Sequence, residues 1–235
     1  MKKGEIIRQL SQISTSFDKA QHKFLKDHPD IDASNDARVT VFSHCYLVID
    51  SIYVCLVVRS YEACEPDWWD KMAKDKKISR RFNVENLSVF LQAFNSFTIS
   101  AYLCLLSGAV ESAFRIFHEA VFPFRDVPRN FDNVCENLLS NRGLGLQDYL
   151  KLMKLLRLLR NSLAHNNGRH IHKDDNACWN GVSINFRKGQ MVHLGESGWS
   201  VMFVIAYGIL EMLQKVVNSN IIIEKSIIKD PTYDS

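Results

Sequence analysis

Gln147-Asp-Tyr-Leu-Lys-Leu-Met-Lys-Leu-Leu-Arg-Leu-Leu-Arg-Asn-Ser-Leu-Ala-His-Asn-Asn-Gly168 is the stretch that decides how this chain is read. Wound at about 100° per residue, Tyr149, Leu152, Leu155, Leu156, Leu159 and Leu163 fall within an arc of about 120°, a core-facing stripe. Lys154, Arg157, Arg160, Asn161, Ala164 and His165 share the opposite side, within about 140°. This polar face holds three cations, an amide and an imidazole, and the helix has one carboxylate, Asp148, at its start. An amphipathic helix ordinarily mixes charges on its wet face, so the bias points to an anionic ligand. Plain C-capping by basic side chains, Asn166, Asn167 and Gly168 accounts for the cations and the glycine. It does not account for the clustering of Arg160, Asn161 and His165 on one face.

Upstream, the pattern is helical. Ile6, Leu10, Ile13, Phe17, Ala20 and Phe24 recur at alternating spacings of four and three, which predicts a helix ending near His28-Pro29. Asp30 to Asp36 reads as a polar connection. Asp36 to Cys64 reads as a second long helix, with strand left open by its β-branched content. Within it Val39 to Val58 is about as long as a membrane span. It contains His44, Asp50 and Ser51, however, and an Asp at mid-membrane costs about 3 kcal/mol, so a buried helix is the preferred reading. Pro66 to Arg81 combines Trp68 and Trp69 with six cations and reads as a solvated surface, with phosphate contact as the lesser alternative. Val84 to Val121 is helical by pattern with Gly108 as the expected break. There Glu111, Arg115 and Glu119 follow at i, i+4 and i+8, so both carboxylates can reach the arginine. Phe131 to Leu139 resumes the helical pattern after Pro123 and Pro128.

Downstream, the period changes from 3.6 to 2. Val182 to Phe186 and Met191 to Leu194 alternate apolar and polar, with a glycine-containing turn at Arg187 to Gln190, which predicts a β-hairpin within residues 179–195. Ser197 is placed to cap a final helix running to about Val217. The tail, residues 220–235, carries Ile221 to Ile223 and Ile227-Ile228, too apolar to stand free. The expectation is a mainly α chain, residues 1–235 as a single domain: a helical bundle with residues 1–30 as an N-terminal helical extension and a small β-hairpin before the last long helix.

Composition agrees. At 235 residues, 46% hydrophobic and 23% charged, with 10 Gly and 5 Pro, the chain is neither collagen-like nor disordered. A chain of this size buries about 70% of its unfolded surface. The net charge of +3 does not diagnose a nucleic-acid binder. Six scattered cysteines without a CxxC pair point to a reducing cytosol, and the basic start lacks the apolar run of a secretory signal, so a cytoplasmic protein with no membrane contact is expected.

Arg160, Asn161 and His165 form the pattern R-N-x-x-x-H, late in the chain after a leucine-striped helix. With the Asn-Asn-Gly beyond it and the hairpin and helix that follow, the stretch from Val39 to Val217 resembles the HEPN superfamily, in particular its bacterial members. The resemblance implies a HEPN-like helical bundle and metal-independent cleavage of RNA, as in endoribonucleases of toxin–antitoxin, phage-defence and CRISPR systems that act as dimers. It implies Arg160, His165 and Asn161 as catalytic residues. Lys154, Arg157, Asn166 and Asn167 would contact substrate, with Arg115 and Glu119 in support. A plain intrahelical ion pair is the preferred account of those last two.

The chemistry fits these residue types. Histidine titrates near neutrality and can take the proton of the RNA 2′-hydroxyl or supply one to the leaving 5′-oxygen. Arginine can hold the charge of the phosphorane. One arginine and one histidine per chain are too few for both proton transfers, which is a physical reason for a homodimer with a composite site. An antitoxin or a defence protein is the other partner implied. HEPN toxins of one branch carry a tyrosine two residues after the histidine, where the antitoxin modifies it. Asn167 stands there in this chain, so that inactivation is not implied. Some HEPN domains do not cleave, and the alternative expectation is an interaction or nucleotide-binding module.

No cofactor and no metal are expected. His165, His170, His172 and Cys178 lie within one short stretch, but His-x-His without a paired Cys is not a structural zinc spacing. Neither a P-loop nor a dinucleotide-binding glycine motif is present.

Overall fold

Helices do dominate. The computed structural model describes residues 3–61, 87–165, 168–192, 194, 198–225 and 227–231. In chain order its elements are α1 (Lys3–Asp27), α2 (Ala37–Tyr61), α3 (Leu87–Val121), α4 (Phe131–Leu139), a short 3-10 turn (Gln147–Tyr149) and α5 (Leu150–Leu159). A π-helical turn (Arg160–His165) continues α5, and β1 (Asp175–Trp179), β2 (Val182–Phe186), α6 (Gly198–Val217) and α7 (Asn220–Ile223) follow. The fold is mainly α, with one small antiparallel sheet before the last long helix. The expected basic aromatic segment from Pro66 to Arg81, and the capping Ser197, lie outside the described residues.

The apolar stripes read from the sequence become the core. Leu10, Ile13, Phe17, Ala20 and Phe24 of α1 are buried, as are Leu152, Leu155, Leu156 and Leu159 of α5. Burial on α5 is wider than the stripe, taking in Met153 and Leu158, because β1 and the facing helices enclose it from several sides. α6 is the central rod, with Met202, Ile205, Ala206, Ile209, Met212 and Leu213 fully buried. α3 runs unbroken through Gly108, contrary to the expected break. A glycine inside a helix costs about 1 kcal/mol relative to alanine, which a helix of 35 residues absorbs through its packing.

The hairpin lies before the last helix, as expected, but with another pairing. β2 pairs with β1, from Asp175 opposite Phe186 to Trp179 opposite Val182, and Met191 instead bridges to Arg169. The reason is the turn. Asn180 and Gly181 both take positive φ, 42° and 81°, the pair of left-handed conformations that a two-residue hairpin turn demands. The hairpin seats on α6 at Gly208, where a Cβ would lie 2.7 Å from Trp179 Nε1.

The tail packs on the body through a buried clasp. Asp36, read as part of a polar connection, is buried at the start of α2 and accepts bonds from Arg38 N at 2.9 Å, Nε at 2.8 Å and Nη2 at 2.5 Å. The Arg38 Nη1 donates to the carbonyl oxygens of Ile222 and Lys225 at 3.1 and 2.9 Å, satisfying the end of α7. Ala37 N donates to Ile228 O, Asp230 N to Asn35 O, and Thr40 Oγ1 to Asp230 Oδ2.

By length and composition alone, three helices could cross a membrane: Ala37–Val58, Ala93–Val121 and Gly198–Val217. They are not alike: the first is 33% buried within the protein and the last 67%. Leu47, Val54 and Val58 of α2, with Phe97 and Leu105 of α3, stand exposed.

Candidate functional site

The helix that carries the expected motif changes its winding at the motif. α5 ends at Leu159, and Arg160 to His165 form a π-helical turn. This alters the geometry of the pattern. In an α-helix, positions 160 and 165 stand about 140° apart around the axis; the wider winding of a turn closed by i to i+5 bonds narrows that angle. The five-residue spacing that an α-helix splays is drawn closer to one face by a π-turn. For His165 the backbone position is described, and Asn166 and Asn167 lie outside the described residues.

The turn is fixed from outside. Ser100 Oγ of α3 donates to Leu163 O at 3.2 Å, and Gly168 N donates to Ser162 O at 2.9 Å. Ser162 is fully buried, and its hydroxyl lies 3.2 Å from His170 Nδ1. The other ring nitrogen of His170 lies 2.9 Å from Lys173 O. Since a carbonyl only accepts, Nε2 carries the proton and Nδ1 accepts from Ser162. His170, considered above as a metal ligand, thus ties the π-turn to the loop leading into β1. Among the described residues no group of three or more His, Cys, Asp or Glu side chains is arranged to hold a metal ion.

Lys154, Arg157 and Arg160 project as the wheel requires, but each meets a carboxylate from elsewhere in the chain. Lys154 Nζ lies 2.7 Å from Asp175 of β1, Arg157 Nε 2.8 Å from Asp132 of α4, and Arg160 Nη1 3.2 Å from Glu111 of α3. The face that looked short of carboxylates is supplied with them by three other elements, so its charge is largely compensated. Asp175 shows the effect. Its desolvation would raise its pKa, yet the bonds from Lys154 and from the Asn176 amide outweigh this and hold it below the usual carboxylate range.

Glu111 joins the two arginines. Its Oε1 accepts from Arg115 at 2.7 Å and its Oε2 faces Arg160. Arg115 is thus linked to Arg160 through Glu111, and Glu119, the other residue expected in support, lies exposed. Arg115 also donates to the carbonyl oxygens of Pro128 and Arg129, fastening the connection into α4.

Between α3, α4 and α5 these residues enclose a cavity of about 330 Å³. Arg129, Arg157, Arg160, Asn161, Glu111 and Asp132 supply its polar lining. Arg157, Arg160 and Asn161, expected on one helix face, line this cavity together; Glu111 as a partner of Arg160, Asp132 and the cavity itself carry no such local signal. Spacing pairs Glu111 with Arg115, and that bond is present. No local pattern links it to Arg160, because 49 residues separate them. Comparison with protein-family models, with curated proteins and with solved structures finds no match to this chain.

Proposed function

We propose that this chain is an endoribonuclease of the HEPN type, cleaving RNA without a metal ion through Arg160, Asn161 and His165, in a toxin or phage-defence role. One observation carries the reading: Arg160 and Asn161 line a polar cavity at the start of a π-turn that narrows the angle between positions 160 and 165. π-turns inside helices recur at functional sites because they re-aim side chains at the expense of regular hydrogen bonding.

In the proposed reaction the 2′-oxygen of RNA attacks the adjacent phosphorus and the bond from phosphorus to the 5′-oxygen breaks. The 2′-hydroxyl proton goes to a base and an acid returns one to the 5′-oxygen. His165 takes one of these roles and the partner's His165 the other, in a homodimer. Arg160 stabilises the phosphorane through forked hydrogen bonds. The proposed location is the cytoplasm. α2 lies along α1, whose Arg8, Lys19, Lys23 and Lys26 are exposed, and a bilayer around α2 would have to accept those charges.

A second reading, a HEPN-like module that binds without cleaving, is favoured by the ion pairs that engage the cations of the face. The two are separated by incubating the purified chain with mixed RNA in EDTA beside His165→Ala and Arg160→Ala. Cleavage by the wild type, reduced at least a hundredfold in both variants, is the expected result. Cleavage that persists in either variant, or no cleavage by a folded dimer across a broad RNA panel, overturns it.

A further inference from the structure

Glu111 is the part of this site that the proposed reaction does not use. Its carboxylate bridges two arginines that are held very differently. Arg115 gives it bonds of 3.2 Å from Nε and 2.7 Å from Nη2, and is anchored besides on two backbone carbonyl oxygens. Arg160 meets it through Nη1 alone at 3.2 Å, longer than the roughly 2.7–2.9 Å of a strong charge-assisted bond. The Nε of Arg160 is buried with no hydrogen-bond partner, although the guanidinium as a whole remains partly exposed at the cavity. A buried N–H without an acceptor beside a polar cavity is a donor short of a ligand.

We propose that the cavity between α3, α4 and α5 binds a phosphoryl group, with Arg160 as its principal ligand, and that Glu111 is the resident counter-ion this group displaces. The inference rests on the reading of Arg160 as a phosphate ligand and adds a competitor to it. A phosphoryl group offers the guanidinium fork two acceptors at once, whereas Glu111 now engages a single nitrogen. Displacement is feasible because it strands no charge. When Arg160 turns away, Glu111 keeps its bonds to Arg115, so the costly outcome of breaking a partly buried pair, an uncompensated carboxylate, does not arise. Arg157 and Arg129 stand at the same cavity to share the incoming charge. In the absence of an anion the site is thus held in a charge-compensated state by its own chain.

The test uses the full chain and inorganic phosphate, titrated calorimetrically at constant ionic strength with chloride as the balancing anion. E111Q is expected to bind phosphate about tenfold more tightly than the wild type, the scale of one charge-assisted bond. E111D keeps the charge but shortens its reach, and is expected to shift affinity the same way by a smaller factor, so the proposal stays testable where E111Q fails to fold. R160Q is expected to weaken binding about tenfold or more. If both Glu111 variants bind phosphate no more tightly than the wild type, or not at all, the displacement proposal falls. Weakening by R160Q would in that case leave the reading of Arg160 standing. If R160Q binds phosphate as the wild type does, the reading of Arg160 itself falls.

Discussion

Arg38 with Asp36, and Arg160 with Glu111, are built from the same two chemical groups and behave as opposites. The first pair has side-chain exposures of 0% and 1%; the second, 29% and 23%. At the clasp Arg38 spends its donors on Asp36 and on the carbonyl oxygens that end α7, so a fully dehydrated ion pair welds the N-terminal end of α2 to the tail. At the cavity Arg160 makes one long bond and leaves a buried nitrogen unpartnered. Water access and the saturation of hydrogen bonds, rather than charge, separate a fixed pair from an exchangeable one.

The most severe way to break this comparison is R38M. It leaves Asp36 buried without its cation and the α7 carbonyl oxygens without their donor, and is expected to cost about 3–5 kcal/mol of unfolding free energy by denaturant titration. A loss under about 1 kcal/mol would place the clasp with ordinary surface pairs.

Next in size is a pH effect in the last turn of α3. His118 is buried beside Asn137, and burial first, then the charge of Arg125, lowers its pKa. A histidine with a lowered folded pKa binds fewer protons than in the unfolded chain. Stability is therefore full above the unfolded value near 6.5 and falls as the pH drops from there toward the folded value, by up to about 1.4 kcal/mol per pH unit. H118Q should flatten that part of a stability–pH curve; an unchanged slope would assign the loss to other groups.

E111Q should cost less than about 1 kcal/mol, with the difference shrinking as salt is added, because its pairs are partly exposed. A cost comparable with that of R38M would mean that the two pairs are of one kind. The smallest effect belongs to K154M. Lys154 stands 41% exposed, so its bond to Asp175 is worth a few tenths of a kcal/mol after solvent screening. What it does support is lost as the pH falls through the lowered pKa of Asp175, so K154M and wild type should converge in acid.

Much of the architecture was legible because it is written in local periods. The stripe from Leu10 to Phe24 and that from Tyr149 to Leu159 name their buried residues directly, since every residue of an amphipathic helix has its angle fixed by its number. The hairpin turn is a counter-example: the alternation of Met191 to Leu194 favours a turn at Arg187 to Gln190, whereas the chain turns at Asn180-Gly181, a residue pair that tolerates positive φ. Asp36 shows the limit. A lone carboxylate in a polar run gives no local sign that an arginine two residues on will follow it into the core.

By itself, the sequence determined which residues share a helix face: the leucines of α5 inward, and Lys154, Arg157, Arg160 and Asn161 together on the other side. Tertiary structure alone decided what that face meets. Glu111, Asp132 and Asp175 arrive from α3, α4 and β1, and turn an apparent excess of positive charge into a set of ion pairs of graded strength. It also decided the winding. Hydrogen bonds with Ser100, His170 and Gly168 hold residues 160–165 in a π-turn, and with it the angle between the two ends of the R-N-x-x-x-H pattern. The physical reason is range: a helical period is set by neighbours within one turn, whereas charge compensation and the winding of a turn are set by groups that only the folded chain brings within hydrogen-bonding distance.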